Sequence, residues 1–207
     1  MKYLISFFFI LFLFSCKKEP LTFTIKGIVN DLSFDKPLDK GEISIYRFTA
    51  GSSTPKLLET QEIGSDGTYH FKIERDKSEK YDIKIVRKNY FEKIYTINFS
   101  VLKPNEDNIH DIDVTAKSFI KFILKNQNSP QPSDELKFLK NVGNFDCKEC
   151  CDKGYSFYNG IIDTVVYCAN DGNKPFGFHY WVNGNEKYKE ESLITPAFDT
   201  LNYELIY

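Results

Sequence analysis

Phe23-Thr24-Ile25-Lys26-Gly27-Ile28-Val29 alternates apolar and polar side chains, and Gly64-Ser65-Asp66-Gly67-Thr68-Tyr69-His70-Phe71 carries a tight-turn signal into a second alternating run. Alternation with period two places every second side chain on one face, which is the signature of a half-buried β-strand. Gly67 suits the turn because it has no Cβ to oppose a positive φ. Gly27 interrupts the first strand where a missing side chain permits a bulge or the close approach of another backbone. His70 is out of phase with Tyr69 and Phe71 and is expected to face solvent.

The same reading extends outward. Glu42–Phe48 alternates, Leu58–Ile63 forms a third strand, and Tyr81, Ile83 and Ile85 form another that Lys88-Asn89 closes. Ile94–Val101 precedes a polar loop at Lys103–Asn108, and Ile112 and Val114 begin the last strand of this half. Short strands with frequent turns predict a β-sandwich. Phe119, Ile120, Phe122, Ile123 and Leu124 restart an apolar run directly after Ala116, so the boundary near residue 116 has hardly any linker. Asn126–Ser133 reads as a loop, and Glu135–Leu139 as a short helix or a strand. Strands are expected at Gly160–Tyr167, Phe176–Val182 and Leu201–Tyr207, with Asn183-Gly184 as a hairpin turn. The fold expectation is all-β, with two β-sandwich modules in tandem at 21–116 and 117–207.

Composition excludes several classes. The chain has 207 residues, 27 Lys+Arg against 29 Asp+Glu, and a net charge of -2. No basic excess exists to neutralise phosphates, so nucleic acid is not an expected partner. Aromatic residues are 16% of the chain, with 19 Phe and 13 Tyr, enough buried area to oppose chain entropy.

The amino terminus is different in kind. Lys2 is the only charge before Lys17, and Leu4–Phe14 is apolar except for Ser6. A membrane span needs about 20 apolar residues, so this run is read as a signal peptide over residues 1–15. Leu13-Phe14-Ser15-Cys16 resembles the lipobox of bacterial lipoproteins. The resemblance implies cleavage before Cys16 and acylation of its thiol and amino group, with residues 16–20 as a lipidated tether. Several acyl chains anchor stably where one would be marginal. The Phe-rich signal and Ser15-Cys16-Lys17-Lys18-Glu19 look like lipoproteins of the Bacteroidetes, which implies the outer membrane, facing the periplasm or exposed at the surface. Asp163-Thr164-Val165 and Asp199-Thr200-Leu201 look like the O-glycosylation tripeptide of that group's secreted proteins.

Ile25-Lys26-Gly27-Ile28-Val29-Asn30-Asp31, Pro37-Leu38, Ile43-Ser44-Ile45-Tyr46, Gly64–Phe71 and Tyr81-Asp82-Ile83-Lys84-Ile85 together resemble the carboxypeptidase regulatory-like domain, a transthyretin-like sandwich. Asn89-Tyr90-Phe91 stands where that family often has Gly-Tyr. The resemblance covers about residues 21–116 and implies a non-catalytic module.

Four cysteines remain after Cys16: Cys147, Cys150, Cys151 and Cys168. Outside the inner membrane the default for an even set is disulfides, and four cysteines allow three connectivities. Joining the neighbours Cys150 and Cys151 would be strained. Cys147–Cys151 with Cys150–Cys168 is the first expectation, and Cys147–Cys150 with Cys151–Cys168 the second. A metal site is disfavoured because a second Cys-x-x-Cys is missing, and His179 sits in an apolar strand. Glu106, Asp107, Asp111 and Asp113 lack a calcium-loop spacing and read as a solvated turn, with His110 among them. No nucleophile elbow, zinc-protease motif or phosphate loop occurs, so no catalytic residue and no cofactor is expected.

Tyr180 and Trp181 are the candidate ligand contacts, since an exposed ring on a sheet stacks on a sugar. The expectation is a non-catalytic lipoprotein of the cell envelope, held to the membrane by Cys16, that binds or assembles with a protein partner or a glycan. The alternative is a carbohydrate-binding surface lipoprotein of a glycan-uptake system.

Overall fold

The computed structural model describes residues 20–127 and 130–207, so the signal segment and Cys16 lie outside the described residues. The first half holds nine strands: β1 (Thr22–Asp31), β2 (Lys36–Pro37), β3 (Glu42–Thr49), β4 (Lys56–Glu62), β5 (Thr68–Glu74), β6 (Ser78–Val86), β7 (Lys93–Asn98), β8 (Asp107–Ile109) and β9 (Ile112–Val114). The second half holds β10 (Lys117–Lys125), β11 (Glu135–Val142), β12 (Tyr155–Asn159), β13 (Asp163–Asp171), β14 (Lys174–Val182), β15 (Lys189–Thr195) and β16 (Thr200–Ile206). The architecture is all-β, built as sandwich modules.

In the first sandwich β1 organises one sheet. Its beginning pairs with β5 antiparallel and β8 parallel, and its end with β2 antiparallel and β9 parallel. The facing sheet runs β4-β3-β6-β7. The alternation read in the sequence sets the faces: Phe23, Ile25, Phe71, Ile43, Ile45, Tyr81 and Ile83 meet between the sheets with at most 1% exposure. The close approach expected at Gly27 is present. A Cβ there would collide with the carbonyl of His110, which also accepts the Tyr69 hydroxyl at 2.6 Å. Gly67 has φ +79° in the turn before β5.

The second sandwich pairs a β13-β10-β16 sheet with a β12-β11-β14-β15 sheet. Phe122 is its centre. Rings of Phe138, Phe176, Phe178 and Tyr203 surround it at 5.1 to 5.8 Å between centroids, mostly edge to face, the arrangement the ring quadrupole favours. Buried members of the first core end at Ala116, and those of the second begin at Ile120.

Several local expectations are refined. Glu135–Leu139 is strand, because β12 and β14 pair along both its edges. The run Ile94–Val101 ends as a strand at Asn98. Phe99–Val101 is a 3₁₀ turn in which the Leu102 amide donates to the Phe99 carbonyl. The strand read from Gly160 starts at Asp163, since Gly160 lies in a turn at φ +83°.

The first expectation for the disulfides is corrected. The structure joins Cys147 to Cys150 and Cys151 to Cys168, the second connectivity. The reason is backbone placement. A turn in which Cys150 N donates to Cys147 O closes the first pair. The amide of Ala169 then bonds to the Glu149 carbonyl, laying the loop along β13 beside Cys168, which points into the core with 0% exposure.

The sandwiches abut closely. Ala116 links them, and Tyr90 and Phe34 pack on Phe198 at 5.5 and 5.6 Å. Thr115 Oγ1 donates to Asp171 at 2.6 Å, and Asn173 Nδ2 to the Ser33 carbonyl at 3.0 Å.

Candidate ligand-binding face

The candidate site lies on the outer face of the β12-β11-β14-β15 sheet. Along β14, Phe176, Phe178 and Tyr180 point into the core, so His179 and Trp181 point outward. Register fixes what lies beside them. Trp181 pairs with Lys137, which pairs with Phe157; His179 pairs with Leu139, which pairs with Tyr155. Beyond β14, His179 pairs with Glu190 of β15. The β14–β15 connection brings Tyr188 over this row.

The rings form one continuous surface. Tyr155 lies 5.8 Å from Trp181 and 6.3 Å from Phe157, and Tyr188 lies 5.6 Å from Trp181 and stacks on His179 at 4.2 Å. Tyr155, Phe157 and Tyr188 are each about half exposed, and Trp181 is half-buried among them. Lys137 Nζ lies 4.0 Å from the Tyr155 ring centroid and 4.7 Å from that of Trp181, a double cation–π contact. His179 Nε2 is 2.8 Å from Asn141 Nδ2 and 3.2 Å from Glu190 Oε1. The face therefore offers flat apolar rings bordered by an ammonium, an amide and a carboxylate. It can stack on a ring-shaped ligand and hydrogen-bond its edge.

Tyr180 does not belong to it. Tyr180 is 8% exposed and packs beside Phe178, because neighbouring residues of a strand face opposite ways. Trp181 lies on the outer face, beside Lys137, Tyr155, Phe157 and Tyr188, which the sequence did not single out. Tyr155-Ser156-Phe157 has period two, a signal for a shared face, but the adjoining cysteine loop obscured the strand.

The other sequence candidates are engaged elsewhere. Asp111 Oδ1 accepts the Ile28 amide at 2.9 Å, Asp113 Oδ1 accepts the Asn30 amide group at 3.0 Å, and Asp107 pairs with Lys26 at 2.5 Å. These carboxylates brace β1 rather than converge on a cation. His110 packs against Tyr95, and burial lowers its pKa below the usual histidine value. All four later cysteines are in disulfides and offer no thiolate. His70 faces solvent. No helix among the described residues is long and apolar enough to cross a membrane.

No protein-family model and no curated protein matches the sequence. Among solved structures the chain is similar to the TIE protein of Bacillus anthracis (TM-score 0.39, 12% identity), over 90% of this chain and 34% of that one. It thus spans about a third of the TIE chain. The shaft pilin SpaA of Lactobacillus rhamnosus GG gives a TM-score of 0.36 at 10% identity, over 90% of this chain and 97% of the pilin. A candidate carbohydrate-binding protein from Bacteroides uniformis gives 0.32 at 14% identity, over 83% and 96%.

Proposed function

We propose that this protein is a non-catalytic lipoprotein of the cell envelope that binds its ligand on the outer aromatic face of the second sandwich. Cys16 carries the acyl anchor at the outer membrane, residues 16–20 form the tether, and the modules occupy 21–116 and 117–207. The observation that carries the reading is the exposed row of Tyr155, Trp181 and Tyr188 with Lys137 above it. Exposed apolar surface of this kind on a rigid sheet costs solvation, which a bound ligand recovers. The first sandwich, whose Asp107, Asp111 and Asp113 are tied to β1, serves as the spacer between the anchor and that face.

A glycan is the ligand class favoured by the same rings. Coplanar C–H groups of a pyranose pack on an aromatic face, and the bordering polar groups reach its hydroxyls. Retention on immobilised polysaccharides tests this, with Trp181 fluorescence as the reporter. Binding should fall at least tenfold in Trp181→Ala, as expected when a ring worth about 1.5 kcal/mol or more leaves a contact surface. Lack of retention on every polysaccharide, with unchanged fluorescence, would remove the glycan reading. Palmitate labelling that survives Cys16→Ala would remove the anchor.

A further inference from the structure

A second concavity lies on the opposite side of the β14–β15 hairpin from the aromatic face, at the open end of the second sandwich. It is a cleft of about 350 Å³, within the range of small-molecule sites. Val182 and the exposed Ile206 give it an apolar wall, with the nearly buried Tyr180 and Tyr207 behind them. The amides of Asn126, Asn183 and Asn185 and the ammoniums of Lys187 and Lys189 line the rest.

The lining carboxylate is Asp134, and its oxygens are already occupied. Asn183 Nδ2 donates to Oδ1 at 2.9 Å, while Asn126 Nδ2 and the Gln131 amide donate to Oδ2, both at 2.8 Å. These donors hold its pKa below the usual carboxylate value. Asp134 thus orders the amides instead of neutralising the lysines. Lys187 and Lys189 have no carboxylate partner among the described residues, and Lys189 Nζ lies 5.6 Å from the Tyr180 ring centroid. The Tyr207 hydroxyl, in the same wall, is buried without a hydrogen-bond partner among the described residues.

We infer that this cleft binds a carboxylate-bearing sugar, a uronate residue, with its ring against Val182 and Ile206 and its carboxylate on Lys187 and Lys189. Each part of the lining answers a part of that ligand. The lysines two positions apart fit an anion, the Asn185 amide fits a hydroxyl, and the apolar wall fits a pyranose face. An inorganic anion would leave the wall and most of the volume unused. A neutral sugar would leave the ammoniums unanswered. The inference stands apart from the glycan reading of the outer face, because the two surfaces share no residue.

Calorimetric titration of the full protein with galacturonate, trigalacturonate and galactose tests it. Either acid should bind, and galactose at least tenfold more weakly, the factor that loss of a charge-assisted hydrogen bond brings. Raised salt should weaken the acids and not galactose. The exposed pair Lys187→Gln/Lys189→Gln should lose at least tenfold toward the acids with an unchanged circular dichroism spectrum, while Trp181→Ala keeps acid binding. The monomer binding as well as the trimer would identify a free sugar acid, and the trimer alone a polyuronate chain; both support the cleft. Equal binding of galactose, no heat with either acid, or full acid binding by the lysine variant would overturn it. Acid binding lost only in Trp181→Ala would move the acid to the aromatic face and leave the glycan reading intact.

Discussion

Single residues show how closely local chemistry is matched to position. Asp31 is 1% exposed yet accepts the Ser33 amide at 3.0 Å and the Tyr90 hydroxyl at 2.6 Å. Burial and this partner push the Tyr90 pKa well above its usual value. Tyr90→Phe leaves a buried carboxylate short of a donor and should cost about 2 kcal/mol in urea unfolding. Gly27→Ala forces a Cβ onto the His110 carbonyl and should cost about 1–3 kcal/mol or prevent folding. Lys140 is 2% exposed, between the rings of Phe145 and Phe176, and its ammonium donates to the Asn144 carbonyl. Burial lowers its pKa from 10.5 to about 8, opposed by the charge of Asp171. Between those values the unfolded chain holds a proton that the folded chain has lost, so this group adds stability as pH rises. The unfolding free energy of the wild type should therefore climb relative to Lys140→Met from pH 8 to pH 10.5. A difference that stays flat across that window refutes the assignment.

At the level of elements, the disulfides govern the segment between β11 and β13. Cys147–Cys150 closes a ring across a separation of 3 residues and Cys151–Cys168 one of 17. Loop-closure entropy grows with ring size, so loss of the longer bridge should cost about 3 kcal/mol. Cys151→Ala/Cys168→Ala should lower the chemical midpoint clearly more than Cys147→Ala/Cys150→Ala. The reverse order would show that the short ring carries the loop. The strands themselves were largely legible: β1, β3, β5, β6 and β14 fall where they were expected, because apolar side chains recur at every second position, and in β5 and β6 the alternate face is wetter. β12 and β15 were not: the outward residues of β12 are aromatic, and β15 opens with Lys189-Glu190-Glu191-Ser192, polar on both faces. Tyr155 and Phe157 face solvent, and Ile194 is 61% exposed. Binary patterning cannot separate two faces that are both apolar, as in β12, or both polar, as at the start of β15.

For the whole molecule the consequential feature is the joint. Phe198 adopts φ +66° and packs against Tyr90 and Phe34 of the other sandwich. The Gly172 amide donates to the Ala116 carbonyl at 2.8 Å, and a Cβ at Gly172 would lie 3.3 Å from that oxygen, so the β13–β14 turn sits directly on the link between the modules. Phe198→Ala should uncouple them, and a single calorimetric unfolding transition should become two. Transitions that remain coincident would mean that the polar contacts of Asp171 and Asn173 suffice. A stiff joint would hold the aromatic face at a fixed distance from a membrane anchor at Cys16.

The sequence by itself determined that the chain folds as β-strands and that an even set of later cysteines is available for disulfides, because alternation and turn chemistry act between near neighbours and cysteine number is read directly. Tertiary structure alone decided the disulfide partners, the placement of Tyr180 on the inner face of β14 and the gathering of Tyr155, Trp181, Tyr188 and Lys137. Those outcomes depend on inter-strand register and on which face the opposing sheet covers, quantities set by residues far apart in the chain.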